Sequence, residues 1–306
     1  MVGKMIRTFH PVGQGAFYTE RFYDDVPGKP VFTVVYDCGS VNVRQLKKAI
    51  DRTFVENDII NLLFVSHFHS DHVNKIEYLK KRCQVKNIVI PVLTSGLVLE
   101  SLVHDFIQSN GSGWNRNALQ FLSNCINASY NNDGGDIRIF SIDVSGEGSE
   151  ERQIIDLDSD DLIGPSVLHD TEIRFCDWIY VPYYIGDKYD ELIAEFEANG
   201  FVFNLDLRRT DFLKEICEEI RKIGVDILKR IYGKVYRTTI IPTRCRYIQA
   251  LVIVVKRHIN ALLCAQGENM ETCTVRQIVC TPEITMPGLR RISTTLRLIF
   301  PVIGAG

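Results

Sequence analysis

Four consecutive apolar residues, Leu62-Leu63-Phe64-Val65, lead almost directly into the polar loop His67-Phe68-His69-Ser70-Asp71-His72. A continuous apolar run of this length is what a strand buried on both faces shows. Beyond the loop, Val73, Ile76 and Leu79 recur at helical spacing. Ile88-Val89-Ile90 then resumes a strand, which Pro91 ends. Strand, loop, helix, strand is an α/β signature, so the expected fold class is α/β.

The flanking sequence extends this pattern. Lys4–Phe9 reads as a strand leading into the Gly13-Gln14-Gly15 turn, and Val31–Tyr36 is a second strand ending at Asp37-Cys38-Gly39. Val43, Leu46, Ile50 and Phe54 form one stripe of a helix over Asn42–Phe54. Helices are expected over Leu97–Gln108, Asn117–Asn127, Lys188–Asn199 and Asp211–Tyr232. Strands are expected over Ile137–Ile142, Glu172–Cys176 and Trp178–Tyr184. Glu147–Asp161 carries seven carboxylates in fifteen residues and reads as a solvated loop.

At 306 residues, 45% apolar and 24% charged, the chain has the composition of a globular protein with a buried core. Its net charge of −3 advertises neither a nucleic-acid nor a membrane surface. The most apolar region, Ile248–Ala265, is interrupted by Lys256, Arg257 and His258. It falls short of the roughly 20 apolar residues of a spanning helix. Nine scattered cysteines without a CxxC pair fit reduced thiols packed as small hydrophobes. The expectation is a cytoplasmic protein with no membrane contact; the oligomeric state is open.

Charge divides the chain near residue 237. Arg237–Gly306 holds nine Lys+Arg against three Glu and no Asp, a net of +6, which leaves −9 for residues 1–236. We therefore read residues 1–236 as the main domain and 237–306 as a basic terminal segment. That segment either completes the fold as β-rich structure or is a stretch whose reading frame has altered. Its arginines could touch nucleic acid, but eight over seventy residues without regular aromatic interleaving more often form a solvated face.

The loop carries the chemistry. In an extended segment residues two apart point the same way, so His67 and His69 can reach one ion. Asp71 and His72 begin the following helix and turn back toward the same point. Three imidazoles and a carboxylate suit zinc, and also manganese or iron. His104, in an amphipathic helix, reads as a surface or core residue, and His10, before Pro11, as structural.

The hexapeptide His67–His72 after an apolar strand resembles the signature of the metallo-β-lactamase superfamily, whose fold is an αββα sandwich with a metal site at one edge. Val12-Gly13-Gln14-Gly15 together with Tyr36-Asp37-Cys38-Gly39 is similar to the branch holding the hydrolase domains of bacterial DNA-uptake channel proteins and related phosphodiesterase-like enzymes. That branch often has Asp after the Gly-Gln-Gly turn, where this chain has Ala16. The resemblance covers residues 4–92, and 171–184 more loosely. It implies His67 and His69 as ligands of a first metal, with His169 as their third partner. It implies Asp71 and His72 as ligands of a second, with Asp71 also orienting the nucleophile and Asp37 supporting the loop.

The pattern then departs from the family. No aspartate follows Asp226, Gly267-Glu268 stands roughly where a Gly-Asp step belongs, and His258 precedes it. The second metal is thereby in question, and the fold itself could be incomplete at the C-terminus. The implied function is a hydrolase with one or two zinc ions, using a zinc-activated water on a phosphodiester or other small, nucleotide-like substrate. The alternatives are a lactone or thioester hydrolase of the same superfamily, and a catalytically impaired binding or scaffold protein.

Overall fold

The computed structural model describes residues 4–25, 28–131, 138–143, 153–157, 166–169, 171–176, 178–184, 188–237 and 250–256. The chain divides into two compact units, Met1–Lys256 and Arg257–Gly306, of which the second lies outside the described residues.

In chain order the strands are β1 (Lys4–Phe9), β2 (Gly15–Tyr23), β3 (Phe32–Ser40), β4 (Ile59–Ile60), β5 (Leu62–Phe64), β6 (Gln84–Val85), β7 (Asn87–Pro91), β8 (Arg138–Asp143), β9 (Gln153–Asp156), β10 (Ser166–His169), β11 (Thr171–Phe175), β12 (Trp178–Tyr184) and β13 (Ala250–Lys256). The helices are α1 (Val43–Thr53), α2 (Ser70–Val73), α3 (Ile76–Arg82), α4 (Ser95–Gln108), α5 (Arg116–Asn131), α6 (Tyr189–Ala198), α7 (Phe212–Ile223) and α8 (Val225–Arg237). A seven-stranded sheet runs β1-β2-β3-β5-β7-β8-β10 and a four-stranded sheet β13-β12-β11-β9. In the larger sheet β1, β2 and β3 are antiparallel, while β3, β5, β7, β8 and β10 are parallel. The α/β sandwich expected from the sequence is the fold observed.

Alternation along the strands builds two cores. On β3 Val35 faces the helices and Val34 the second sheet, and on β5 Leu63 and Leu62 divide in the same way. The first core joins Leu46 and Ile50 of α1, Val103 of α4, Phe121 of α5 and Leu228 of α8 to the large sheet. The second packs Phe22, Phe32, Phe64 and Phe140 against Ile173, Phe175 and Tyr180 of the small sheet. Each such side chain contributes about 1.5–3 kcal/mol by leaving water.

Three sequence expectations need correction. Gly15–Tyr23 is a strand, β2, that the sequence did not declare, because its buried Glu20 breaks the apolar alternation. That carboxylate is satisfied by Arg7 Nε at 2.9 Å, Tyr18 Oη at 2.6 Å and Tyr180 Oη at 3.1 Å. The acidic segment 147–161 contains β9, which pairs parallel to β11 and buries Ile155. The helical pattern of Asp211–Tyr232 is two helices, since Gly224 at φ +83° ends α7. Within the basic segment, Ala250–Lys256 forms β13, antiparallel to β12. The rest of it beyond Arg237 lies outside the described residues.

Candidate metal centre

The histidine loop sits at the carboxyl ends of the parallel strands β3 and β5, where open α/β sheets place ligands. Backbone geometry makes room for it. Between the β2–β3 pairs Ala16–Gly39 and Tyr18–Tyr36 lies a register shift, with Asp37 and Cys38 opposite Phe17. This is a bulge, and bulges re-aim side chains. Asp37 adopts φ +53°, a left-handed conformation that Asp tolerates better than most residues. Its carboxylate accepts hydrogen bonds from Ser66 N at 2.8 Å and Ser66 Oγ at 2.7 Å, and lies 2.9 Å from His72 Nδ1.

The two glycine-bearing turns have a physical purpose. A Cβ on Gly39 would overlap the backbone of Asp71 and His72, and one on Gly15 would overlap the Asp71 carbonyl. The end of the β2–β3 hairpin therefore forms a cradle on which α2 lies in direct backbone contact. Asn74 fastens it, donating from Nδ2 to Ser40 O at 2.8 Å, and Lys75 N donates to Cys38 O at 2.9 Å.

His67, His69, Asp71 and His72 are all buried. Ring centroids lie 4.4 Å apart for His67 and His69, and 4.0 Å for His67 and His72. Burial, and then the neighbouring imidazoles, hold His67 well below its ordinary pKa, so it stays neutral and able to donate a lone pair. The Gln14 amide reaches Asp71 Oδ2 at 3.4 Å.

Helix α4 completes the surroundings. Glu100 meets His69 Nε2 at 3.0 Å and accepts from Tyr232 Oη at 2.6 Å. His104 stacks on His69 at 3.6 Å with ring planes 9° apart, and Asp105 accepts from Ser70 N at 3.1 Å. Burial opposes charge on the Glu100 carboxyl, yet His69, His104 and Tyr232 hold its pKa down at about 2. Burial likewise opposes protonation of His69, but Glu100, Asp105 and Asp71 outweigh it and raise that pKa.

Glu100, Asp105 and Tyr232 were not read from the sequence as site residues, and His104 was read as surface or core. A signal for Glu100 was present, since it interrupts Leu97-Val98-Leu99 and Leu102-Val103 in a helix buried on nearly every side. A carboxylate there requires a partner. His169 ends β10 at the same edge of the sheet as the loop, but its side chain lies outside the described residues. His10 is structural in its contacts, with Nε2 3.0 Å from Thr19 Oγ1 and its ring on Phe17.

Whether these residues suit a metal can be asked of the donors themselves. Nδ1 of His69 is buried without a hydrogen-bond partner, an orphaned nitrogen that a cation would satisfy. The donor types fit a divalent ion of zinc's class. Among the described residues, however, no three His, Cys, Asp or Glu side chains converge closely enough to hold one ion. The pocket is suited in chemistry and anchoring, short of a closed ligand set.

Comparison with known proteins bears on the same stretch. Residues 32–106 match the metallo-beta-lactamase superfamily. The matched segment runs from β3 through α4 and so includes the cradle strand, the histidine loop, Glu100 and His104. No curated protein matches the chain. Among solved structures, MEM-A1, a subclass B3 metallo-beta-lactamase isolated from a soil metagenome library, is 12% identical with a TM-score of 0.26. The match covers 60% of this chain and 50% of that one, so the chain spans about half the length of that structure. A beta-lactamase domain protein from Burkholderia ambifaria is 16% identical over 38% of this chain and 37% of its own, with a TM-score of 0.22. Among the described residues no helix is long and apolar enough to cross a membrane.

Proposed function

We propose that this chain is a metal-dependent hydrolase that holds zinc, or manganese or iron in its place, at His67, His69, Asp71 and His72. One observation carries the reading. The buried His67 ring lies 4.4 Å from that of His69 and 4.0 Å from that of His72, both also buried, at the carboxyl end of a parallel strand in a segment with the superfamily's pattern. A divalent ion there would supply Lewis-acid polarisation and water activation at neutral pH. The protein's part is orientation: Asp37 fixes His72, Glu100 fixes His69, and burial keeps His67 neutral. Asp71 adds a carboxylate that can orient the attacking water. His169 remains the proposed third partner of His67 and His69.

The substrate we propose is a phosphodiester or nucleotide-like molecule. The Gly13-Gln14-Gly15 and Asp37-Cys38-Gly39 turns support it, through their similarity to the DNA-uptake channel branch. The test is zinc content together with turnover of bis-p-nitrophenyl phosphate, a lactone and a thioester. Zinc with phosphodiester turnover, both lost in His67→Ala, is the expected result. Turnover of only the lactone or thioester would overturn the substrate.

The unconverged donor set favours one competing reading, a scaffold that keeps the fold without catalysis. It predicts that His67→Ala changes stability and no rate.

A further inference from the structure

We propose that one face of α4, formed by Glu100, His104 and Asp105, is a clamp that fixes the His69 ring with its proton on Nε2 and Nδ1 free for an ion, and that Tyr232 on α8 locks it. The proposal rests on the metal-binding reading of His69 but concerns residues outside the ligand set. Glu100 and His104 are one helical turn apart and share a face of α4. Glu100 takes the edge of the His69 ring, with its two oxygens 3.0 and 3.2 Å from Nε2. His104 takes the flat face, 3.6 Å away and nearly parallel. Asp105 secures the start of α2 through Ser70 N. Together these contacts fix the ring's position, tilt and rotation about its bond to the chain.

The hydrogen bond selects the tautomer. An ionised carboxylate only accepts, so Nε2 must donate, and in the neutral ring the lone pair is then left on Nδ1. That Nδ1 is the buried nitrogen with no partner. Tyr232 donates to Glu100 Oε1 at 2.6 Å, which keeps the carboxylate from swinging away. Glu100, His104 and Tyr232 are therefore positioning residues. Through Tyr232 the site depends on a helix far along the chain from the histidine loop.

The test compares full-length wild type, Glu100→Gln and Tyr232→Phe. Nitrogen-15 NMR of the metal-free chain, at a pH where the ring is neutral, reports which His69 nitrogen carries the proton. Cobalt(II) titration, followed by its ligand-field bands, reports the ion. The wild type should show the proton on Nε2. Glu100→Gln should lose that preference and weaken cobalt binding by about 10–100-fold, the usual effect of removing such a partner. Tyr232→Phe should shift both readouts in the same direction by less, and it keeps a testable protein if Glu100→Gln does not fold. A wild-type proton on Nδ1, or variants whose tautomer matches wild type, would overturn the clamp. If wild type binds no cobalt yet shows the Nε2 proton that the variants lose, the clamp stands and the metal reading fails.

Discussion

His10 shows how a single residue links burial to pH. It is half-buried against Phe17, and burial together with the charge of Arg21 lowers its pKa to about 4. The unfolded chain has the ordinary value near 6.5, so it takes up the proton first as the solution is acidified. The contribution of His10 to stability is complete above about pH 6.5 and declines as pH falls toward 4, below which it changes no further. Urea midpoints of wild type and His10→Gln between pH 7 and pH 4 check this. The variant should lose less stability over that interval, and parallel curves would remove His10 from the account. Asp37 makes the complementary case. Its left-handed backbone is strained for a side chain, yet its carboxylate engages Ser66 twice and His72 once. Strain of this kind persists where surrounding contacts over-determine it. Asp37→Asn keeps the tolerated conformation but removes the charged acceptor of His72, so zinc affinity should fall about 10–100-fold while thermal stability changes little.

At the level of elements, the cradle under α2 is the most exacting contact. Gly39 admits the Asp71–His72 backbone, whereas Gly13, at φ +84°, faces open space. Gly39→Ala should cost about 3 kcal/mol or more, the upper end of overpacking penalties. Gly13→Ala carries only the conformational penalty of about 1–2 kcal/mol. Chemical denaturation of the two variants separates a packing requirement from a turn requirement, and equal losses would contradict the cradle. The same contact explains what was readable in advance. The loop, the two glycine turns and the strand before them are local patterns, and each is present in the linear order of residues. Glu100 meets His69, and Tyr232 meets Glu100, only when α4 and α8 fold against the loop, so the sequence shows that a buried Glu100 needs a partner but not which residues supply it. Strand β2 was hidden for a related reason, because its buried Glu20 finds partners on β1 and on β12 of the other sheet.

Over the whole molecule, the α/β architecture followed from the alternation of apolar strands and helices, while the sheet partners of β9 and β13 did not. Both are set by pairings across long stretches of chain with no local signature. The site draws on β3, the loop, α4 and α8 together, so a cation bound there should stabilise the assembled fold. At free zinc about 100 times its dissociation constant the gain is about 2.7 kcal/mol, visible as a rise in melting temperature that a chelator reverses. The most direct test is X-ray absorption at the zinc edge on the zinc-loaded full-length chain. Nitrogen neighbours at about 2.0–2.1 Å are expected, with imidazole scattering that diminishes in His67→Ala and in His69→Ala. A folded wild-type chain that retains no zinc, or zinc surrounded by oxygen alone, would contradict the metal-binding reading.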